Sequence, residues 1–136
     1  LQKEPERIDT AIDEMLRFQP PIQINNRRCL ETTMLGDVKI QKGTPVHLIV
    51  AGANRDPLQF CEPENFDISR SPNRHLSFGL GIHICAGINL ARLEAKVAFL
   101  QLMSSFKEIN LLKKPKIANR IRFREIKEMQ VEVSSF

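Results

Sequence analysis

One cysteine stands out by its setting. Cys85 lies in the stretch His75 to Arg92, HLSFGLGIHICAGINLAR, with Gly79, Gly81 and Gly87 inside nine residues. Those three are half of the six glycines in the chain. Glycine permits positive φ and lets other groups approach closely, so their density predicts a shaped loop rather than a strand. After Gly87, apolar residues recur at Leu90, Leu93, Val97 and Leu100, and again at Ala91, Ala95, Ala98 and Leu102. That spacing predicts a helix over 88–106 with a wide buried face. The thiol then sits just before a helix start, where unpaired N–H groups and the helix dipole favour an anion. A thiolate so held is a good metal ligand. Three readings stay open at this point. Cys85 can be a small buried hydrophobe. His83 and Cys85 can be half of a zinc site, although Cys29 and Cys61 are isolated and supply no second pair. Or one thiolate in an apolar loop can serve as the proximal ligand of a haem iron.

The order Phe78, Gly79, Gly81, His83, Cys85, Gly87 resembles the haem-binding loop of the cytochrome P450 monooxygenases, of the soluble bacterial and archaeal type. The resemblance implies a haem (iron protoporphyrin IX) with Cys85 as its axial thiolate. It implies that Phe78 shields the sulfur from water, and that Gly79, Gly81 and Gly87 form the loop, the last two letting the backbone pass close to the porphyrin. It makes His83 the better candidate for one haem propionate, with His75 the other histidine to consider. It also implies an arginine on a preceding strand for the other propionate, a place that Arg27 fits better than Arg28. A guanidinium forks onto a carboxylate through two hydrogen bonds.

Glu14-Met15-Leu16-Arg17 followed by Pro20-Pro21 is similar to the Glu-x-x-Arg signature of the same family, where the pair is buried and structural. Without that resemblance, such a pair reads as a solvent-exposed ion pair worth a few tenths of a kcal/mol. The chain departs from the family in Pro63-Glu64-Asn65-Phe66-Asp67. Asn65 stands where a basic residue normally completes a triad with Glu14 and Arg17, and Arg70 or Arg74 are the candidates to replace it. Arg92 and Lys96 are expected on the side of the cysteine loop, as part of a docking surface for a partner or as a solvated face.

The elements that must position these groups can be read from periodicity. Ile8, Ala11, Ile12, Met15 and Leu16 follow the i, i+3, i+4, i+7, i+8 rule, which predicts a helix over 4–18 with Pro5 in its first turn and Pro20 ending it. Val38, Ile40, Val46, Leu48 and Val50 alternate, and Gly36-Asp37 and Lys42-Gly43 mark turns. Short antiparallel strands follow for 22–50. Asn54-Arg55-Asp56-Pro57, after a short helical turn, reads as structural, from residue types that favour turns and hydrogen-bond one another. Residues 58–77 read as ordered coil, and 107–136 as a terminal hairpin built around Ile121–Phe123 and Met129–Val133.

The chain of 136 residues is read as one region, 1–136, of α+β class. Its order is Glu-x-x-Arg helix, small antiparallel sheet, coil, cysteine loop, long helix and terminal hairpin. This is the C-terminal part of the mainly helical haem-thiolate monooxygenase fold. The net charge is +4, and all of it comes from residues 107–136. With phenylalanine as the only aromatic, that basic stretch makes a poor case for nucleic acid. It reads as a solvated surface or as a dock for an acidic electron-transfer partner. No apolar run is long enough to span a bilayer. Three sparse cysteines fit a reducing compartment, here the cytoplasm.

The expected function is oxygen activation and insertion of one oxygen atom into a small organic substrate. Electrons come from a ferredoxin or flavoprotein type of partner. No catalytic residue is expected within this segment, because the family's acid–alcohol pair belongs to a helix upstream of Leu1. The rival expectation is a truncated haem-binding protein without oxygenase activity. Exposed apolar faces also predict self-association of the fragment.

Overall fold

The computed structural model describes all residues, Leu1–Phe136. A 3-10 turn at Pro5–Arg7 leads into helix α1 (Ile8–Phe18). Proline cannot donate a backbone hydrogen bond, so it is tolerated in the first turn. α1 ends where Gln19 turns extended, one residue ahead of Pro20. Its inner face buries Ile8, Ala11 and Ile12, and with them the charged pair Glu14 and Arg17. Val50, Phe60 and Ala118, with Pro20, are the other buried apolar side chains. The core is therefore small and centred on α1.

The next segment forms two separate two-stranded sheets rather than one small sheet. Strand β1 (Ile24–Arg28) pairs antiparallel with β4 (Pro45–Ile49), and β2 (Thr33–Leu35) pairs with β3 (Val38–Ile40). Gly36, at φ +56°, makes the tight turn that sets Leu35 opposite Val38. In the β1–β4 ladder Arg27 faces Val46. Side chains alternate along a strand, so Asn25 and Arg27 share one face and Arg28 takes the other. A single turn of helix, α2 (Val50–Ala53), follows β4. Residues 58–77 contain no helix or strand, as expected of the coil.

The terminal segment corrects the expected hairpin. Strand β5 (Glu108–Leu111) pairs with β8 (Val131–Ser134), and β6 (Lys116–Ile117) pairs with β7 (Ile126–Glu128) inside it. Ile121–Phe123 is not a strand of that hairpin. Its neighbourhood bonds instead to the exit of α1: Phe123 bridges Ile22, the Gln23 N–H donates to Arg122 O at 2.8 Å, and the Arg124 N–H donates to Pro21 O at 2.8 Å. Alternation shows that a segment can extend but not which distant segment it pairs with.

Helix α3 (Ile88–Ser105) lies on α1. None of its residues is buried, and Leu90, Leu93, Val97, Leu100 and Leu102 are exposed. The wide buried face is thus uncovered in this chain. The reason is geometric: the apolar residues run round more than one side, and α1 can meet only one of them. Two ion pairs also join α1 to α3. Arg92 binds Asp13 through Nε at 3.0 Å and Nη2 at 2.8 Å, and Lys96 Nζ lies 2.9 Å from an Asp9 carboxylate oxygen. The two cations expected at a docking surface are held by the acids of α1.

Candidate haem-thiolate site

The cysteine loop closes on itself by backbone bonds. The Gly79 N–H donates to Leu76 O at 2.9 Å, the Cys85 N–H to Phe78 O at 2.8 Å, and the Ile88 N–H to Cys85 O at 3.3 Å. A 3-10 turn at Gly81–His83 fills the bend. Two glycines are needed there for torsion. Gly79 has φ +74° and Gly81 φ +65°, a region that L side chains rarely adopt. At Gly79 space is also short, since a Cβ would meet His83 O at 2.9 Å. Gly79→Ala should therefore cost about 1–3 kcal/mol, read as a lower unfolding midpoint. Gly36→Ala, strained in torsion but with nothing within 4 Å, should cost less. Equal losses would mean that crowding against His83 does not matter.

Gly87 is the N-cap of α3. The Ala86 and Gly87 N–H groups donate to no backbone carbonyl, and they flank the cysteine at the positive end of that helix. Cys85 is exposed rather than packed among apolar side chains, which removes the buried-hydrophobe reading.

The thiol faces open space. Leu16, Ile22, Asn25, Arg27, Phe78, His83 and Cys85 all line a cavity of about 290 Å³. It adjoins a second, of about 360 Å³, walled mainly by Leu48, Ile49, Val50, Ala53, Leu76 and Leu80. Asn25, Arg27, Gly79 and His83 border both. The result is an apolar groove with a thiol at one end and two nitrogen donors on its rim. Arg27 makes one side-chain hydrogen bond, to Asn26 O at 2.9 Å, and no ion pair, so its charge is free for an anion. Arg28 points away and donates to Gly43 O at 3.1 Å. No group of three or more His, Cys, Asp or Glu side chains comes together to hold a metal, which speaks against zinc. One sulfur beside an apolar slot, with an arginine and a histidine on the rim, fits a flat metal complex that brings its own nitrogen donors and carries carboxylates.

His75 lies elsewhere. Its side chain is almost fully buried, Nδ1 accepts the Ser77 N–H at 3.2 Å, and Nε2 stands 3.5 Å from Asp13 Oδ1. It borders neither cavity, so His83 is the histidine that the fold brings to the groove. Burial is the largest influence on His75 and pushes its pKa down, against the opposing pull of Asp13. A histidine whose folded pKa lies below its ordinary 6.5 binds fewer protons than the unfolded chain. Its contribution to stability is then full above that value and is lost as pH falls toward the folded one. The chain should lose thermal stability on acidification just below pH 6.5. His75→Gln should flatten that part of the profile; an unchanged slope would assign the loss to other groups.

Behind the loop lies the Glu14–Arg17 pair, with both side chains at 0 % exposure. All five guanidinium donors are used. Nε and Nη2 fork onto the two Glu14 oxygens at 2.7 and 2.8 Å, Nη1 donates to Asn54 O and Pro63 O at 2.9 Å each, and Nη2 donates to Asn65 O at 3.0 Å. Glu14 also accepts from the Asp67 N–H at 2.9 Å and Asn73 Nδ2 at 3.0 Å, and Arg70 Nε lies 3.2 Å from it. Burial alone raises the Glu14 pKa, but Arg17, the Asp67 N–H and Arg70 together outweigh it and hold the carboxyl below its ordinary value. Arg70, not Arg74, thus supplies the second cation, and Asn65 contributes its backbone carbonyl.

The sequence marks Asn54 as a structural, hydrogen-bonding residue without showing its partners, and gives no sign of Asn73; both side chains join this network. The turn and hydrogen-bonding types around Asn54 point to near neighbours rather than to Arg17 and residues 76–77, and Asn73 stands beside Pro72 in a coil.

A cytochrome P450 family model matches residues 6–129. The chain belongs to the cytochrome P450 family. It is 45% identical over 111 residues to the biotin biosynthesis cytochrome P450 of Bacillus subtilis, a match that covers 82% of this chain and 28% of that protein. It is 43% identical over 111 residues to cytochrome P450 119 of Sulfolobus acidocaldarius, covering 82% of this chain and 30% of that one. Among solved structures, P450BioI in complex with an acyl carrier protein ligated to hexadec-9Z-enoic acid superposes with a TM-score of 0.96. That match has 40% identity and covers 98% of this chain and 35% of that one. The chain therefore spans about a third or less of the length of the relatives it matches. Membership in the family implies a haem cofactor, and the groove described above suits it. No helix is long and apolar enough to cross a membrane.

Proposed function

We propose that residues 1–136 form the haem-ligating region of a haem-thiolate monooxygenase, a single unit within a larger fold. One observation supports this most: an exposed thiol at a helix start shares an apolar groove with an unpaired arginine and a histidine. Cys85 holds the iron through its thiolate. The free N–H groups of Ala86 and Gly87 temper the charge on the sulfur by hydrogen bonding. Arg27 and His83 hold the two propionates, Arg27 as a fork and His83 as a donor. Phe78 lines the same cavity as the thiol and limits its contact with water. Gly79 and Gly81 set the bend of the loop, and Gly87 leaves room beside the sulfur. Glu14 and Arg17 are structural.

When bound, the haem supplies the iron chemistry that activates oxygen, and a sulfur ligand pushes electron density toward it. In the intact protein a ferredoxin or flavoprotein delivers the electrons, and one oxygen atom enters a small organic substrate. The free cysteines, with no disulfide, support a cytoplasmic location.

The decisive measurement is the absorption spectrum of the reduced, haem-loaded chain under carbon monoxide. A strongly red-shifted Soret band is expected. Freshly prepared protein without it would overturn the assignment. A second reading, haem binding without oxygenation, draws on how open the groove and α3 are in this chain. It predicts the same band but no substrate turnover when a reductase is added.

A further inference from the structure

We propose that Asn54 is a positioning residue for the Cys85 thiolate; this rests on the assignment of Cys85 as the haem ligand. The Asn54 side chain is at 0 % exposure and sits between the end of α1 and the start of the cysteine loop. Its Nδ2 donates to Arg17 O at 3.2 Å and to Ser77 Oγ at 2.9 Å, and its Oδ1 accepts the Leu76 N–H at 2.8 Å. The Ser77 hydroxyl completes the clasp by donating to Leu16 O at 2.7 Å. The main-chain oxygen of Asn54 receives Arg17 Nη1 at 2.9 Å. One buried amide therefore joins the Glu14–Arg17 pair to residues 76 and 77.

From there the connection reaches the sulfur through backbone bonds alone. Leu76 O receives the Gly79 N–H, and Phe78 O receives the Cys85 N–H. Apart from Asn54, the one side chain from the segment after α2 that bonds the 76–79 strip is the neighbouring His75, whose Nδ1 accepts the Ser77 N–H at 3.2 Å. Asp13 reaches His75 only at 3.5 Å, and it also binds Arg92 at 2.8 Å. Losing the Asn54 amide leaves the Leu76 N–H unpaired inside the protein, and the strip can then shift along α1. A shift there moves Phe78 O, and with it the Cys85 backbone that aims the thiol into the groove. Asn54 touches neither cavity occupant nor thiol, so it acts through the loop.

Two readouts on Asn54→Ala test this in the 136-residue chain. The first needs no haem: amide hydrogen exchange followed residue by residue. An unsatisfied buried group shifts a local equilibrium by about five- to 150-fold. Exchange at Leu76, Gly79 and Cys85 should speed up within that range, while amides in the middle of α3 keep their wild-type rates. The second uses the haem-loaded chain. The ratio of the red-shifted carbon monoxide band to the band of thiolate-free haem should fall about fivefold or more. A residue that only stabilises the fold would lower the melting temperature but leave that ratio unchanged in the folded fraction. Should Asn54→Ala fail to fold, Ser77→Ala removes only the hydroxyl link, and both readouts should move the same way by a smaller factor. Unchanged Cys85 exchange together with an unchanged band ratio, in whichever variant folds, overturns the proposal. A wild-type chain without the red-shifted band overturns the haem assignment instead, and the exchange data still decide whether Asn54 fixes the loop.

Discussion

Arg17→Ala is expected to cost about 3–5 kcal/mol, enough to unfold much of the chain at room temperature. The substitution removes one side of a fully buried ion pair. It leaves the Glu14 carboxylate inside with Arg70 at 3.2 Å as its only cation. It also strips a donor from three buried or half-buried carbonyls, those of Asn54, Pro63 and Asn65. Nothing else reaches all three. They come from three separate parts of the chain, so the guanidinium is what draws α1, the end of α2 and the coil together. Urea denaturation followed by helical circular dichroism measures the loss. Glu14→Gln keeps the shape and should cost less. Acid should act in the same direction as these variants. The Glu14 carboxyl is held below 4.5 in the folded chain, so the stability it brings is complete above that value and falls away as pH drops through the folded one. A variant Arg17→Ala that unfolds with the wild type would remove the pair from the centre of the fold.

The second large effect concerns the thiol and runs the other way: chemistry is lost and the fold is kept. Cys85→Ala should abolish the red-shifted carbon monoxide band. The side chain is exposed and its sulfur makes no hydrogen bond within the chain. An exposed substitution of this kind changes stability by about 0.5 kcal/mol or less, so the unfolding midpoint should hold. The two measurements together separate a ligand from a packing residue. A surviving band would mean that another group binds the iron. A band lost along with the fold would mean that Cys85 supports the loop as well as the cofactor.

The cysteine loop and the helix after it are legible in the sequence. Glycines that must turn at positive φ mark a loop, and an apolar period of 3.6 marks the helix after it; both signals are local. The Glu14–Arg17 pair was legible only through its family signature, because two charges three residues apart are usually worth little. Burial, which gives the pair its importance, is a property of distant segments. The same limit explains the misplaced hairpin. Ile121–Phe123 alternates like a strand, yet its partners are Pro21–Gln23. The periodicity of α3 was read correctly as helix and wrongly as buried, because period reports the shape of an apolar surface and not what lies against it. The partners of Asn54 are hidden for a related reason. Its type suggests a turn, whereas its work is done by an amide bonded to residues 37 positions before it and 22 positions after it.

The way Asn65 meets Arg17 bears on how this sequence can drift. It offers a main-chain oxygen, which any of the twenty residues would offer equally. The charge that the family signature leads one to expect at that point arrives here on the long arm of Arg70, five positions later. A cation at position 65 is therefore not needed beside Glu14, whereas the one at position 70 is. Replacements at 65 should be near-neutral, whereas those at 70 should be tolerated only where a cation stands at 65.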